Sequence, residues 1–336
     1  MMALPRQMLA MVCKGAGQPL LAEQRPVPVP GPGEVLIRVL ACGVCRTDLH
    51  LQDNELADIR YPVVPGHQVV GEVAATGPGS RFATGDRIGA AWLAWTCGEC
   101  EFCRSARENL CDRARFHGYQ QDGGYAEFML ANADYCLPLS GNLDPVATTP
   151  LLCAGLIGYR SLRMAGDAQR IGIYGYGAAA HIVAQVARHE GREIYAFTSP
   201  GDRAAQEFAL ETGARWAGSS TEASPEPLDA ALIFAPVGAL VPKALRDTKK
   251  GGRIICGGIH MSDIPGFPYA DLWGERQLRS VANLTRQDGE AFMSLAADTT
   301  ILTRTTRFRL EQANEALDAL RAGRINGTAV LVNQAG

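Results

Sequence analysis

Four cysteines crowd one short stretch, Cys97-Gly98-Glu99-Cys100-Glu101-Phe102-Cys103 followed by Cys111. Two-residue spacers let a tight turn aim neighbouring sulfurs at one point, and Zn²⁺ favours four thiolates in a tetrahedron about 2.3 Å away. The spacing departs from the usual iron–sulfur runs. A fully coordinated ion keeps no open position, so a metal here would hold a loop together. A second set is scattered: Cys45, His67 in Pro65-Gly66-His67, and Cys153 after Leu151-Leu152. Two Cys and one His are one of the donor sets that leave a zinc ion an open position for catalysis. Taken alone, Cys153 reads equally as a small buried apolar thiol. A third motif is Ile171-Gly172-Ile173-Tyr174-Gly175-Tyr176-Gly177-Ala178-Ala179-Ala180, which fits G-x-G-x-x-G/A after an apolar run. Gly175 permits the turn, Gly177 lets the backbone approach a pyrophosphate, and Ala180 lets the helix pack closely on the strand.

These residues need two kinds of scaffold. The first half is rich in Gly and Pro and carries short β-like runs at Glu34–Leu40, Val69–Ala75, Arg87–Ala90 and Tyr125–Leu130, as a β-barrel-like domain would. After Thr149-Pro150 apolar strands alternate with Ala-rich helical stretches. Strands at Arg170–Tyr174, Glu193–Phe197, Ala230–Phe234, Arg253–Cys256 and Leu278–Val281, with helices around Ala178–Arg188 and Arg203–Glu211, predict a doubly wound parallel sheet. From about Thr285 the texture changes again. Glu311–Ala322 patterns as an amphipathic helix and Thr328–Val332 as a last strand, so the chain is expected to return to its first domain. The α/β chain thus divides into 1–153 with the cysteine lobe at 97–111, then 154–284, then 285–336.

The order G-x-C-x-T-D-x-H at Gly43–His50, P-G-H, the cysteine lobe, L-C-A-G and the glycine turn resembles the zinc-dependent medium-chain alcohol dehydrogenases over nearly the whole chain. Within that family it is most similar to the shorter bacterial enzymes, including the cinnamyl-alcohol-dehydrogenase-like group. The resemblance implies a GroES-like catalytic domain, a Rossmann coenzyme domain and two zinc ions per chain. It implies Cys45, His67 and Cys153 as ligands of the catalytic zinc, and Cys97, Cys100, Cys103 and Cys111 as ligands of a structural one. Thr47 matches the hydroxyl that takes the alcohol proton, His50 the far end of a proton relay, Asp48 a carboxylate beside the zinc-bound histidine, and Arg46 a pyrophosphate contact. Trp92, Leu93 and Trp95 fall where the family lines its substrate pocket, with Leu56 as a further wall. Primary or aromatic alcohols, or their aldehydes, are the implied substrates. One position departs from the pattern: the family commonly has Glu after the metal-binding His, and this chain has Gln68. A neutral amide there leaves the metal a somewhat stronger Lewis acid than a carboxylate would.

The coenzyme expectation is NADP, with NAD as the alternative. NAD-specific Rossmann domains place a carboxylate at the end of the second strand, about twenty residues past the glycines. Here that stretch is Thr198-Ser199-Pro200-Gly201-Asp202-Arg203. Two hydroxyls and Arg203 suit a 2′-phosphate, a pattern similar to that of NADP-using cinnamyl alcohol dehydrogenases, and Asp202 stands against it.

Composition narrows the alternatives. The chain has 336 residues, 47% hydrophobic and 20% charged, with a net charge of −3 and no basic run, so neither nucleic acid nor a membrane surface is an expected partner. Ten cysteines without an export signal suit metal binding in a reducing cytoplasm better than disulfides. A homo-oligomer, dimer or tetramer, is expected. Three rivals stand beside this reading: a zinc polyol dehydrogenase, a zinc-free quinone reductase, which would lack both cysteine sets, and a non-catalytic zinc-stabilised scaffold.

Overall fold

In the computed structural model residues 4–325 and 327–333 are described. The chain forms two units: one runs to Cys153 and resumes at Leu284, and the other spans Ala154–Asn283.

The first unit is built on a seven-stranded sheet. Its spine is the long strand Glu34–Val44, which pairs antiparallel with Val69–Thr76, with Phe128–Asn132 and with the late strand Thr328–Val332. Arg87–Ala90 and Cys136–Pro138 extend the sheet on one side, and Thr305–Arg309 on the other. A hairpin of Gln7–Val12 and Leu21–Pro26 stands apart from it. Buried on both faces over much of its length, this strand contributes Val35, Leu36, Ile37 and Val39 to one core with Tyr125, Met129 and Leu331. The spine strand ends at Val44, immediately before Cys45, and so delivers the first scattered donor to the barrel's rim.

The second unit is a six-stranded sheet in the order 216–219, 193–198, 170–174, 228–233, 248–256, 277–280. Every strand pairing in it among the described residues is parallel. The chain order 3-2-1-4-5-6 is that of a Rossmann domain, with the strand order reversing beside Arg170–Tyr174. That strand leads through Gly175-Tyr176-Gly177 into the helix Ala178–His189. Ala180 is fully buried at this junction, where a larger side chain would push the helix off the sheet. The tail helix differs from expectation: it begins as a 3-10 turn, Leu310–Gln312, and becomes α-helical only over Ala313–Arg321. No helix among the described residues is long and apolar enough to cross a membrane.

Candidate functional site

Cys45 is the N-cap of the helix Arg46–Gln52, and its Sγ accepts from the Thr47 N–H at 3.3 Å. Asp48 answers reciprocally, its Oδ2 accepting from the Cys45 N–H at 2.9 Å. This capping box fixes the sulfur's direction while satisfying donors at the helix start. His67 arrives after Gly66, whose φ of +100° only glycine adopts without strain. A Cβ at Gly66 would also lie 2.4 Å from Tyr125 Cδ1 and 2.8 Å from Cys42 Sγ. Cys153 follows the 3-10 turn Thr149–Leu152.

The three side chains converge. Cys45 Sγ lies 3.2 Å from His67 Nε2, and the donor atoms of Cys45, His67 and Cys153 all fall within 4.8 Å of one another. A zinc ion bound at ordinary distances separates a sulfur and a nitrogen ligand by about 3.6 Å, so the group is the right size for one. His67 Nδ1 has no hydrogen-bond partner and sits 3.5 Å from Asp48 Oδ1, both side chains being buried. That separation is long for a hydrogen bond, but it places a carboxylate where it orients a metal-binding imidazole.

The electrostatics point the same way. The hydrogen bond from Cys153, aided by His67, holds the Cys45 thiol well below its ordinary range, whereas the same contact pushes Cys153 well above it. Burial alone would lower the His67 pKa, yet Cys45 and Asp48 carry it up to about 10. Cys45 and Asp48 together thus favour positive charge at this point of the site. Such a pocket of thiolate, carboxylate and imidazole accepts a divalent metal.

The second cysteine set is equally close. Cys97 Sγ lies 3.8 Å from Cys103 Sγ and 3.6 Å from Cys111 Sγ, against an edge of about 3.8 Å for a zinc tetrathiolate. Gly98 turns the chain at φ +72°, and Cys100 caps the short helix Glu101–Arg104. The lobe is tied down by buried Glu108, whose Oε1 accepts from the Arg286 N–H at 2.7 Å.

Around the scattered set, Thr47 is partly exposed next to Cys45, and Arg46 is exposed at the helix start. His50, in the last turn, pairs through Nδ1 with Glu55, a partner that sequence reasoning did not name. Gln68 is buried against Gly43, with its amide nitrogen unpartnered. Of the four proposed pocket residues, Trp92 stands edge-on to His67 at 4.9 Å. It stacks on Phe116 at 4.9 Å and on Tyr119 at 5.8 Å, two aromatics that the sequence reading missed although both follow the lobe closely. Leu93 is buried in the short strand paired with Phe116, and Leu56 packs half-buried on the barrel core. Trp95 lines a separate cavity of about 350 Å³ with Met8 and Phe128.

In the second unit Gly175, Gly177, Ala178, Thr198, Ser199 and Asp202 line one cavity of about 380 Å³. No side chain caps the helix that starts at Gly177, and a Cβ there would meet nothing within 4 Å, so the first-turn N–H groups face open space. One expectation needs correcting. Thr198 is buried, donates to Gly218 O at 3.3 Å and accepts from Gln206 Nε2 at 3.1 Å, so its hydroxyl is not free for a phosphate.

Comparison with known proteins decides the family. Residues 31–141 match the model of the alcohol dehydrogenase GroES-like domain. The probable alcohol dehydrogenase AdhA of Mycobacterium tuberculosis is 47% identical over 91% of this chain and 90% of its own. The chain belongs to the alcohol dehydrogenase family. An alcohol dehydrogenase of Geobacillus stearothermophilus is 34% identical, covering 89% of this chain and 91% of its own. Among solved structures, AibC superposes with a TM-score of 0.90 at 27% identity, covering 98% and 96% of the two chains. Acetophenone reductase from Geotrichum candidum, in complex with NAD, does so at 0.86 and 25%, covering 98% of each. As a member of this family the chain is an oxidoreductase of alcohols and their carbonyl products.

A buried histidine near the site generates a pH prediction. His117 is fully buried, its Nδ1–H donating to Ala91 O at 2.7 Å, and burial lowers its pKa from 6.5 to about 4. Below pH 6.5 the unfolded chain takes up this proton and the folded one does not, so stability is lost as pH falls from 6.5 to about 4. The full loss from this ring is on the order of 3 kcal/mol. Urea unfolding at pH 7.5 and pH 4.5 should show a smaller pH dependence for His117→Gln than for the native chain; parallel losses would contradict the assignment.

Proposed function

We propose that the chain transfers hydride between a primary or aromatic alcohol, or its aldehyde, and a nicotinamide dinucleotide, with zinc held by Cys45, His67 and Cys153. The observation that carries this is the convergence of those three donors, His67 buried and the two cysteines partly buried, on a volume that fits one tetrahedral ion and leaves it a fourth position. When bound there, zinc supplies a Lewis acid for the alcohol oxygen and the nicotinamide takes the hydride. Thr47 takes the alcohol proton and passes it towards His50, which Glu55 orients at the helix end. Asp48 holds the His67 ring in place. Trp92, Phe116 and Tyr119 form a flat apolar wall beside His67, which suits an aromatic or aliphatic substrate over a polyol. A second zinc, at Cys97, Cys100, Cys103 and Cys111, holds the lobe.

The pyrophosphate binds at the uncapped start of the helix Ala178–His189, and NADP is preferred over NAD. Ser199 lines the cavity, and Arg203 is exposed at the first position of the next helix. Asp202, in the wall of the same cavity, caps that helix, its Oδ1 accepting from the Ala205 N–H at 3.0 Å. The ten unpaired cysteines, seven of them gathered in two metal-binding sets, support a reducing compartment, the cytoplasm. Self-association is supported by the edge strand Gln277–Ser280 and the exposed Tyr269 and Trp273 near it. Light scattering should give two or four times 35.9 kDa; a monomer would refute it.

Two kinetic tests apply. Alcohol-dependent reduction of the coenzyme, followed by absorbance, should be abolished in Cys45→Ser and His67→Ala while thermal melting stays near native; full turnover in either variant would remove the assignment. Arg203→Ala should lower kcat/KM for NADP roughly 10-fold, the loss of one charge-assisted contact, and leave NAD unchanged. A native preference for NAD would refute the coenzyme reading.

A further inference from the structure

Beside the four-cysteine lobe runs a short chain of hydroxyls with no part in the chemistry above. Thr96, directly before Cys97 and 5% exposed, holds its Oγ1 3.3 Å from Cys103 Sγ. Its other neighbour is the Tyr135 hydroxyl, at 2.6 Å. Tyr135 lies in the turn Ala133–Tyr135, and the Arg286 guanidinium stands 5.3 Å from its ring centroid.

The direction of these bonds follows the proton on sulfur. As a thiol, Cys103 donates to Thr96 Oγ1. As a metal ligand it is a thiolate with nothing to donate. Thr96 O–H must then turn towards the sulfur, and Tyr135 O–H supplies the bond that the Thr96 oxygen accepts. The chain can reverse without any heavy atom moving, because each hydroxyl both donates and accepts.

Charge makes the reversal useful. Four thiolates around one divalent ion leave two negative charges in excess, which the protein must disperse. The Cys100 N–H reaches Cys97 Sγ at 3.3 Å and the Cys103 N–H reaches Cys100 Sγ at 3.5 Å. Arg113, paired with Glu99, adds a positive field at Cys97. For Cys103 that service falls to Thr96. We infer that Thr96, backed by Tyr135, is a positioning residue for the four-thiolate metal: its hydroxyl holds the Cys103 thiolate in ligand geometry, disperses its charge and slows loss of the ion. The inference rests on reading the lobe as a zinc site. It also links the lobe to the returning segment, since Arg286 contacts both Tyr135 and Glu108.

The test uses the full chain carrying Cys45→Ser, so that the three-donor site contributes little metal. Zinc transfer to the chromogenic chelator 4-(2-pyridylazo)resorcinol and the sulfur-to-cobalt charge-transfer band of the cobalt-substituted protein are the two readouts. Thr96→Val should release zinc about 10-fold faster, the lower end of what outer ligand partners contribute, and should shift the cobalt band. Thr96→Ser should restore both, and Tyr135→Phe should fall between. A Thr96→Val protein that folds and matches the native in both readouts overturns the inference. So does Thr96→Ser behaving like Thr96→Val, which would assign the effect to the methyl group. Should Thr96→Val fail to fold, Tyr135→Phe decides: faster release supports the relay, and an unchanged rate overturns it. Absence of any thiolate–cobalt band in the parent would instead defeat the zinc reading, and the inference with it.

Discussion

Two thiols, an imidazole and a carboxylate brought together out of water cannot settle their charges among themselves. Burial raises the cost of ionising Asp48, and Cys45 and Cys153 contend for one proton. A divalent cation resolves the conflict, because it accepts thiolate and neutral imidazole together and leaves Asp48 to hold the ring. Much of the first unit follows from gathering these groups. The spine strand ends at Cys45, a capping box aims its sulfur, and the backbone passes Tyr125 so tightly that position 66 must be glycine. The lobe repeats the principle with four sulfurs and compensates its charge with N–H groups, a hydroxyl and an arginine.

The two metal sets were legible because few residue types bind zinc and the short spacers in the lobe restrict geometry. The scattered set needed the family resemblance, since nothing in a lone Cys153 announces a ligand. Regular elements were legible where periodicity was clean: Arg87–Ala90, Arg203–Glu211 and Thr328–Val332 carry the expected bounds. Other elements were hidden by residues that usually break structure. The helix Arg286–Asp298 contains Gly289, which packs closely against the Leu137 side chain. The helix Leu240–Asp247 contains Pro242, tolerated in its first turn, where the missing N–H costs little. The strand Trp216–Ser219 is short and carries Gly218.

Side-chain direction was the hardest thing to read. Trp92 lies in a bend just before the strand Leu93–Trp95, whose pairing is irregular between Leu93 and Trp95, so the two indoles need not share a face. Trp92 meets His67, while Trp95 faces another cavity under Arg115. Thr198 shows the same limit in the coenzyme unit. Its hydroxyl type suits a phosphate, but the strand continues through it and commits the group to Gly218 and Gln206. Residue type announces chemistry, whereas register decides which chemistry is available.

The account rests on two metal centres of different composition, and zinc-edge anomalous diffraction from crystals of the native chain tests this directly. It predicts two peaks per chain, one within about 2.3 Å of the four lobe sulfurs and one bound by Cys45, Cys153 and a His67 nitrogen. A single peak at the lobe, with Cys45, His67 and Cys153 free of metal in a protein that still turns over alcohol, would contradict it.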